Sequence, residues 1–194
     1  MATAMRIDAP RSVDAEGWLL GVERVPSPNC DPRPADEIDL LVIHNISLPP
    51  GEFGGDGVRS LFTNMLDPDA HPYYQKIAGL KVSAHFFVRR DGHVIQFVSC
   101  LDRAWHAGVS CWQGRERCND FSIGVELEGS DELPFTDAQY LALGGLTRAL
   151  RAAYPIRGIA GHSDIAPQRK TDPGPCFDWM HYLAGLPARQ SPIR

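Results

Sequence analysis

Apolar positions along this chain fall into short blocks with two distinct periods. The block at 38–46 is almost continuous in Leu, Val and Ile. A run that short and unbroken is the pattern of a strand buried on both faces, inside a sheet covered by helices. It delivers His44 near its C-terminal end. Two β-rich runs, 83–90 and 93–99, are joined by Asp91-Gly92, whose residues both tolerate positive φ, so they predict a hairpin. The block at 121–128 alternates: Val125 and Leu127 point one way, while Gly124, Glu126 and Glu128 point the other, so two acids share a face. Shorter strands are predicted at 18–25 and 156–161, the second leading into His162.

A helical period takes over at 137–154, where Tyr140, Leu143, Leu146, Thr147 and Leu150 recur on one side and Thr136 with Gln139 forms a capping-box pattern. Gly144-Gly145 costs on the order of 1 kcal/mol per Gly relative to Ala, which predicts close packing of this helix on the sheet. Short helices are expected at 58–65 and 177–184. The segment 26–36, rich in Pro, Asn and Asp, reads as a loop. Pro49, Pro50, Gly51, Gly54, Gly55 and Gly57 make a second, longer loop of the kind that lines sites.

Length narrows the organisation: 194 residues suit one domain. A hydrophobic share of 43% and a charged share of 22% are ordinary for a globular chain. The net charge of -5 supplies no basic field for collecting phosphates, which argues against an electrostatic nucleic-acid binder. The N-terminus reaches Asp8 and Pro10 before any apolar run, so it lacks a signal-peptide core, and no stretch approaches the ~20 apolar residues of a membrane span. A cytoplasmic location without membrane association is therefore expected. Five cysteines at irregular spacings, without a Cys-x-x-Cys pair, predict reduced thiols and direct any metal toward His and carboxylate.

His44 and His162 each follow an apolar strand, and strand ends at one edge of a sheet can converge. Asp172 stands between Lys170-Thr171 and Pro173-Gly174-Pro175, a segment that constrains the backbone. Two imidazoles and a carboxylate would make a catalytic-type zinc shell with a position left for water. Spacing alone leaves open that each histidine is a hydrogen-bonded core residue. Glu126 reads equally as a solvated charge or a general base, and Lys170 as a surface cation or an oxyanion partner. His71, His85 and His93 read as structural. Trp105-His106 suits sugar stacking, peptide binding or packing, and Arg117 suits a forked pair with a peptide carboxylate or a solvated loop.

Taken together, Val42-Ile43-His44-Asn45, Ala104-Trp105-His106-Ala107-Gly108, Ser122-Ile123-Gly124-Val125-Glu126-Leu127-Glu128, Gly161-His162-Ser163-Asp164 and Lys170-Thr171-Asp172-Pro173-Gly174-Pro175 resemble the type-2 N-acetylmuramoyl-L-alanine amidase family. The similarity is to its cytosolic branch, which acts on 1,6-anhydro sugars, and it runs over 17–179. The resemblance implies a single-domain α/β (α+β) fold, a mixed central β-sheet flanked by helices, related to peptidoglycan recognition proteins. The domain would span 17–185, between an N-terminal arm at 1–16 and a tail at 186–194. It implies one Zn2+ per chain on His44, His162 and Asp172, with Glu126 and Lys170 as the catalytic pair. Asn45, Trp105 and Arg117 are expected to recognise the substrate. Phage relatives place a cysteine where Asp172 stands, but Cys176 falls four positions late, so the aspartate is retained as ligand. The implied substrate is an anhydromuropeptide of cell-wall recycling, cut between the lactyl group and L-alanine, with indirect control of β-lactamase induction and no obligate protein partner. A non-catalytic muropeptide-binding module and a zinc peptidase acting within the stem peptide are the alternatives.

Overall fold

The apolar blocks pair edge to edge into one twisted sheet with an acid and an imidazole at its centre. The computed structural model describes residues 12–187. Its strands are β1 (Glu23–Arg24), β2 (Cys30–Pro32), β3 (Leu40–Ile46), β4 (Phe86–Val88), β5 (Val94–Gln96), β6 (Asp102–Ala104), β7 (Cys111–Trp112), β8 (Arg115–Glu116), β9 (Ser122–Glu128) and β10 (Gly158–Gly161). Its helices are α1 (Gly57–Phe62), α2 (Pro72–Lys76), α3 (Asp137–Ala153), α4 (His162–Ile165) and α5 (Trp179–Ala184). Six strands form the main sheet in the order β1-β5-β4-β9-β3-β10, and β2-β6 and β7-β8 make two small ribbons. Within the main sheet only β4 and β5 run antiparallel, so the sheet is mixed as expected.

Each central strand is buried on both faces. Leu41 and Ile43 of β3, with Ile123, Val125 and Leu127 of β9, pack with Tyr140, Leu143, Leu146 and Leu150 of α3 and Tyr182 of α5. Full burial of a Leu or Ile side chain stabilises by about 1.5–3 kcal/mol, so this layer holds α3 on the sheet. On the opposite face Phe87 and Ile95 pack with Leu61 and Phe62 of α1, while Leu40, Val42 and Ala160 pack with Ala107, Cys118 and Ile165. Between these two apolar patches the register sets Phe87, Glu126 and His44 side by side. The alternation expected of β9 is thus realised, with its polar positions opposite α3.

Several local expectations shift. The first predicted strand shrinks to Glu23–Arg24, because Gly17 and Gly21 take positive φ and bend the chain before it. The segment read as loop at 26–36 contains β2, which pairs with β6. Helix α1 stops at Phe62, three residues early, as Asn64 adopts the left-handed conformation (φ 59°) that ends helices. The hairpin forms, but its connection closes between Arg89 and His93, and of Asp91-Gly92 only the glycine has positive φ. Asp91 instead accepts the His93 N–H at 2.9 Å. The capping box at Thr136 and Gln139 is present. Gly144 and Gly145 do not bring α3 closer to the sheet: among the described residues a β-carbon at either would meet only the Arg148 guanidinium, at 3.5 and 3.9 Å. The last helix begins at Trp179, with Asp178 as its cap. Residues 1–11 of the expected arm and 188–194 of the expected tail lie outside the described residues.

Candidate metal centre

Three elements bring three donor atoms to one point. His44 projects from β3 on the face shared with Leu40 and Val42. His162 opens α4 where β10 ends, at a corner fixed by the Gly161 N–H donating to Asp164 at 2.7 Å. Asp172 comes from the loop after α4, whose Asp172 carbonyl accepts the Ser163 N–H at 2.9 Å. The Asn45 amide donates to the Pro173 carbonyl at 3.1 Å and anchors the same loop to β3. His44 Nδ1 and His162 Nδ1 are 2.9 Å apart, and Asp172 Oδ2 is 3.0 Å from each. A tetrahedral shell with bonds of ~2.0–2.1 Å separates its ligand atoms by about 3.3 Å, so this triangle needs only a slight opening to hold zinc.

The chemistry of the donors also fits. His162 Nε2 lies 3.1 Å from the Ala107 carbonyl, which can only accept, so in a neutral ring the proton sits on Nε2 and Nδ1 is bare. A metal-bound imidazole is oriented in the same way by a partner on its other nitrogen. Burial pushes the His44 imidazole down to about 4, against the opposing pull of the Asp172 carboxylate beside it. Asp172 is held well below the usual carboxylate range: burial works against its charge, but its contacts with the His162 and His44 rings outweigh it. A neutral imidazole beside an ionised carboxylate is the protonation that a divalent cation requires.

Glu126 is buried, and its Oε1 is 4.0 Å from His44 Nδ1. Its Oε2 has no hydrogen-bond partner among the described residues. Burial first, and the charge of Asp172 second, raise this carboxyl well above its ordinary value, while Lys170 opposes the shift. Lys170 itself is exposed, and its charge also acts on His44. The expected recognition residues are placed differently from one another. Asn45 spends its amide on Asp131 at 2.6 Å and on Pro173, Trp105 is half-buried with its backbone N–H on Ser83 Oγ at 3.0 Å and its indole N–H without a hydrogen-bond partner among the described residues, and Arg117 is exposed beside Asp120 at 3.2 Å.

Other polar residues support this arrangement. Glu128 accepts the backbone N–H groups of Gly54 and Arg90 and so ties the long glycine loop to β9. Arg169 donates to the carbonyls of Ala107 and Val109, each at 2.7 Å. His106 lies over β9 so closely that a β-carbon at Gly124 would stand 2.5 Å from its ring. A glycine in the middle of a strand was the one signal in the sequence for that close approach. The histidines read as structural are so placed: His85 accepts the Gly124 N–H at 3.0 Å, His71 caps α2, and His93 meets Glu23 at 2.9 Å. All five cysteines are free, and Cys176 is not among the clustered ligands.

Comparison with known proteins agrees with this geometry. Residues 34–175 match the family model described as N-acetylmuramoyl-L-alanine amidase. The chain is 61% identical over 170 residues to 1,6-anhydro-N-acetylmuramyl-L-alanine amidase AmpD of Escherichia coli, covering 86% of this chain and 93% of that protein. Its fold is similar to a crystal structure of a selenomethionine derivative of AmpD, with TM-score 0.87, 60% identity and coverage of 90% and 99%. It is also similar, at TM-score 0.60 and 31% identity over 92% of this chain and 67% of the other, to the E. coli amidase AmiD, solved in complex with the substrate anhydro-N-acetylmuramic acid-L-Ala-D-gamma-Glu-L-Lys. With the family model matched across most of its length and the sheet, helices and ligand triangle in place, the chain belongs to the N-acetylmuramoyl-L-alanine amidase family.

Proposed function

We propose that this protein hydrolyses the amide between the lactyl group of 1,6-anhydro-N-acetylmuramic acid and L-alanine, with zinc held by His44, His162 and Asp172. The observation that carries the reading is the triangle of donor atoms, all within 3.0 Å of one another, beside a buried carboxylate with an unpartnered oxygen. When bound there, zinc lowers the pKa of a water toward ~7 and polarises a carbonyl.

Glu126 acts as the general base. Its free Oε2 takes one proton from the attacking water as the new C–O bond forms, and gives that proton to the alanine nitrogen as the C–N bond breaks. Lys170, a cation acting on the same cluster, steadies the negative oxygen of the tetrahedral adduct. Asn45, Trp105 and Arg117 recognise sugar and peptide, Arg117 being the exposed guanidinium available to a peptide carboxylate. No helix among the described residues is long and apolar enough to cross a membrane, in keeping with action on a small imported muropeptide in the cytoplasm.

Mass spectrometry of anhydromuropeptide incubated with the protein, with and without a chelator, tests the reading. Release of the intact stem peptide with free L-alanine at its N-terminus, only when metal is present, is the expected result. A cut between two amino acids, or turnover undiminished by the chelator, overturns it.

A further inference from the structure

His44 must present a bare Nδ1 if it is to bind a cation, and a free imidazole chooses its tautomer only weakly. The structure holds a chain of hydrogen bonds that makes the choice, and its direction is set at the far end. The Cys118 carbonyl can only accept, so the Ser122 hydroxyl, 2.6 Å away, donates its single proton to it. Ser122 Oγ can then only accept from His106 Nε2, at 3.2 Å, which places a proton on that nitrogen. No carboxylate among the described residues bonds the His106 ring, so nothing favours a second proton, and His106 Nδ1 is left as an acceptor. His44 Nε2 is 2.9 Å from that acceptor and must donate to it. The His44 proton is thereby drawn to Nε2, and Nδ1 is left bare toward His162 and Asp172.

The position of His106 is itself built. Its ring packs against the β9 backbone at Gly124, where any β-carbon would come within 2.5 Å. Its own N–H and that of Ala107 both donate to Asn119 Oδ1, at 3.1 and 2.8 Å. It meets His44 edge-on, with ring centroids 5.0 Å apart. A residue that served only to fill space would not need both ring nitrogens engaged in one consistent direction.

We propose that His106, oriented by Ser122, is a positioning residue that fixes the His44 tautomer and so sets the affinity of the site for its metal. The inference rests on the zinc reading above. A partner on the remote nitrogen of a metal-bound imidazole is worth 10- to 100-fold in metal affinity, and that is the range expected here.

The experiment measures zinc affinity by competition with a chromophoric chelator for the parent protein, His106→Leu, His106→Gln and Ser122→Ala, with histidine-ring 15N–1H spectra of the zinc-loaded parent. Parent protein that binds no zinc removes the zinc reading itself. If the parent binds, His106→Leu should bind roughly 10- to 100-fold more weakly. His106→Gln, whose amide can accept from His44 and donate to Ser122, should recover most of the loss, and Ser122→Ala should fall between. The parent spectra should show the His106 proton on Nε2. Parental affinity in folded His106→Leu, or a His106 proton on Nδ1, overturns the proposal while leaving the zinc reading intact. If His106→Leu does not fold, Ser122→Ala and the parent spectra decide: unchanged affinity in Ser122→Ala then counts against the chain.

Discussion

His44 and Glu126 are direct neighbours across β3 and β9, in parallel register, with Nδ1 and Oε1 4.0 Å apart. Two residues 82 positions apart in the chain are set beside each other by backbone pairing alone (126 − 44). Because the strands are buried on both faces, a one-residue slip would send Glu126 into the apolar layer under α3, so register protects the pair.

Replacing Glu126 by Gln keeps shape and removes the proton carrier. Turnover should fall at least ~100-fold with zinc content unchanged, measured by steady-state kinetics and metal analysis. The same variant carries a stability signature. A carboxyl raised in the folded state favours folding below its unfolded value and loses that contribution as pH rises through the folded value. Metal-free Glu126→Gln should therefore melt higher than the metal-free parent at pH 8 and match it at pH 4. Near-parental turnover would remove Glu126 from the chemistry.

Asp172→Ala takes away the only anionic ligand of the triangle and the shared partner of both imidazoles. Zinc affinity should drop by at least 100-fold and activity should vanish at stoichiometric metal, read by chelator competition and by titrating metal into the assay. Full activity without added metal would count against the ligand set.

Acid should unfold the metal-free protein through its buried imidazoles. His44 is held down to about 4, and His85 and His106 well below 6.5, each chiefly by burial. The unfolded chain therefore binds more protons below pH ~6.5, so this stability is complete above that value and is lost as pH falls toward 4. Each group can contribute up to about 1.4 kcal/mol per pH unit. Urea unfolding at pH 7.5, 6 and 5 should show a falling midpoint, and a flat profile would contradict the burial of neutral rings. Asp172, held low, adds its loss only below its ordinary value near 3.8.

Arg33 closes the loop before β3 by donating to four backbone carbonyls, those of Cys100, Asn119, Asp120 and Ser122, at 2.8–3.2 Å. Arg33→Met preserves much of the volume and leaves those carbonyls without their donor. A loss of about 2–4 kcal/mol is expected from denaturant unfolding, with zinc affinity reduced less than in Asp172→Ala. A loss below 0.5 kcal/mol would show that water replaces the guanidinium at little cost.

Much of the frame was legible in the chain because its causes are local. The unbroken apolar run of β3, the alternation in β9 and the capping box of α3 each depend on residues within a few positions, and each appears in the structure. Boundaries were less legible where a single backbone angle decided them, as with Asn64 at the end of α1. Helix α2 and the ribbons β2-β6 and β7-β8 carried no clear period, being too short to show one.

The sequence by itself determined which residues were available: motifs supplied two histidines, one aspartate, one glutamate and one lysine, and the absence of paired cysteines turned any metal toward nitrogen and oxygen. Only the tertiary structure decided that His44, His162 and Asp172 meet, since strand order brings together residues 118 and 128 positions apart. Only it assigned the partners of each ring nitrogen, gave Gly124 its purpose beneath His106, and denied Gly144 and Gly145 the purpose expected of them. The physical reason is range: propensity and period act over a few residues, whereas convergence, burial and hydrogen-bond direction depend on elements that become neighbours only when the sheet has formed.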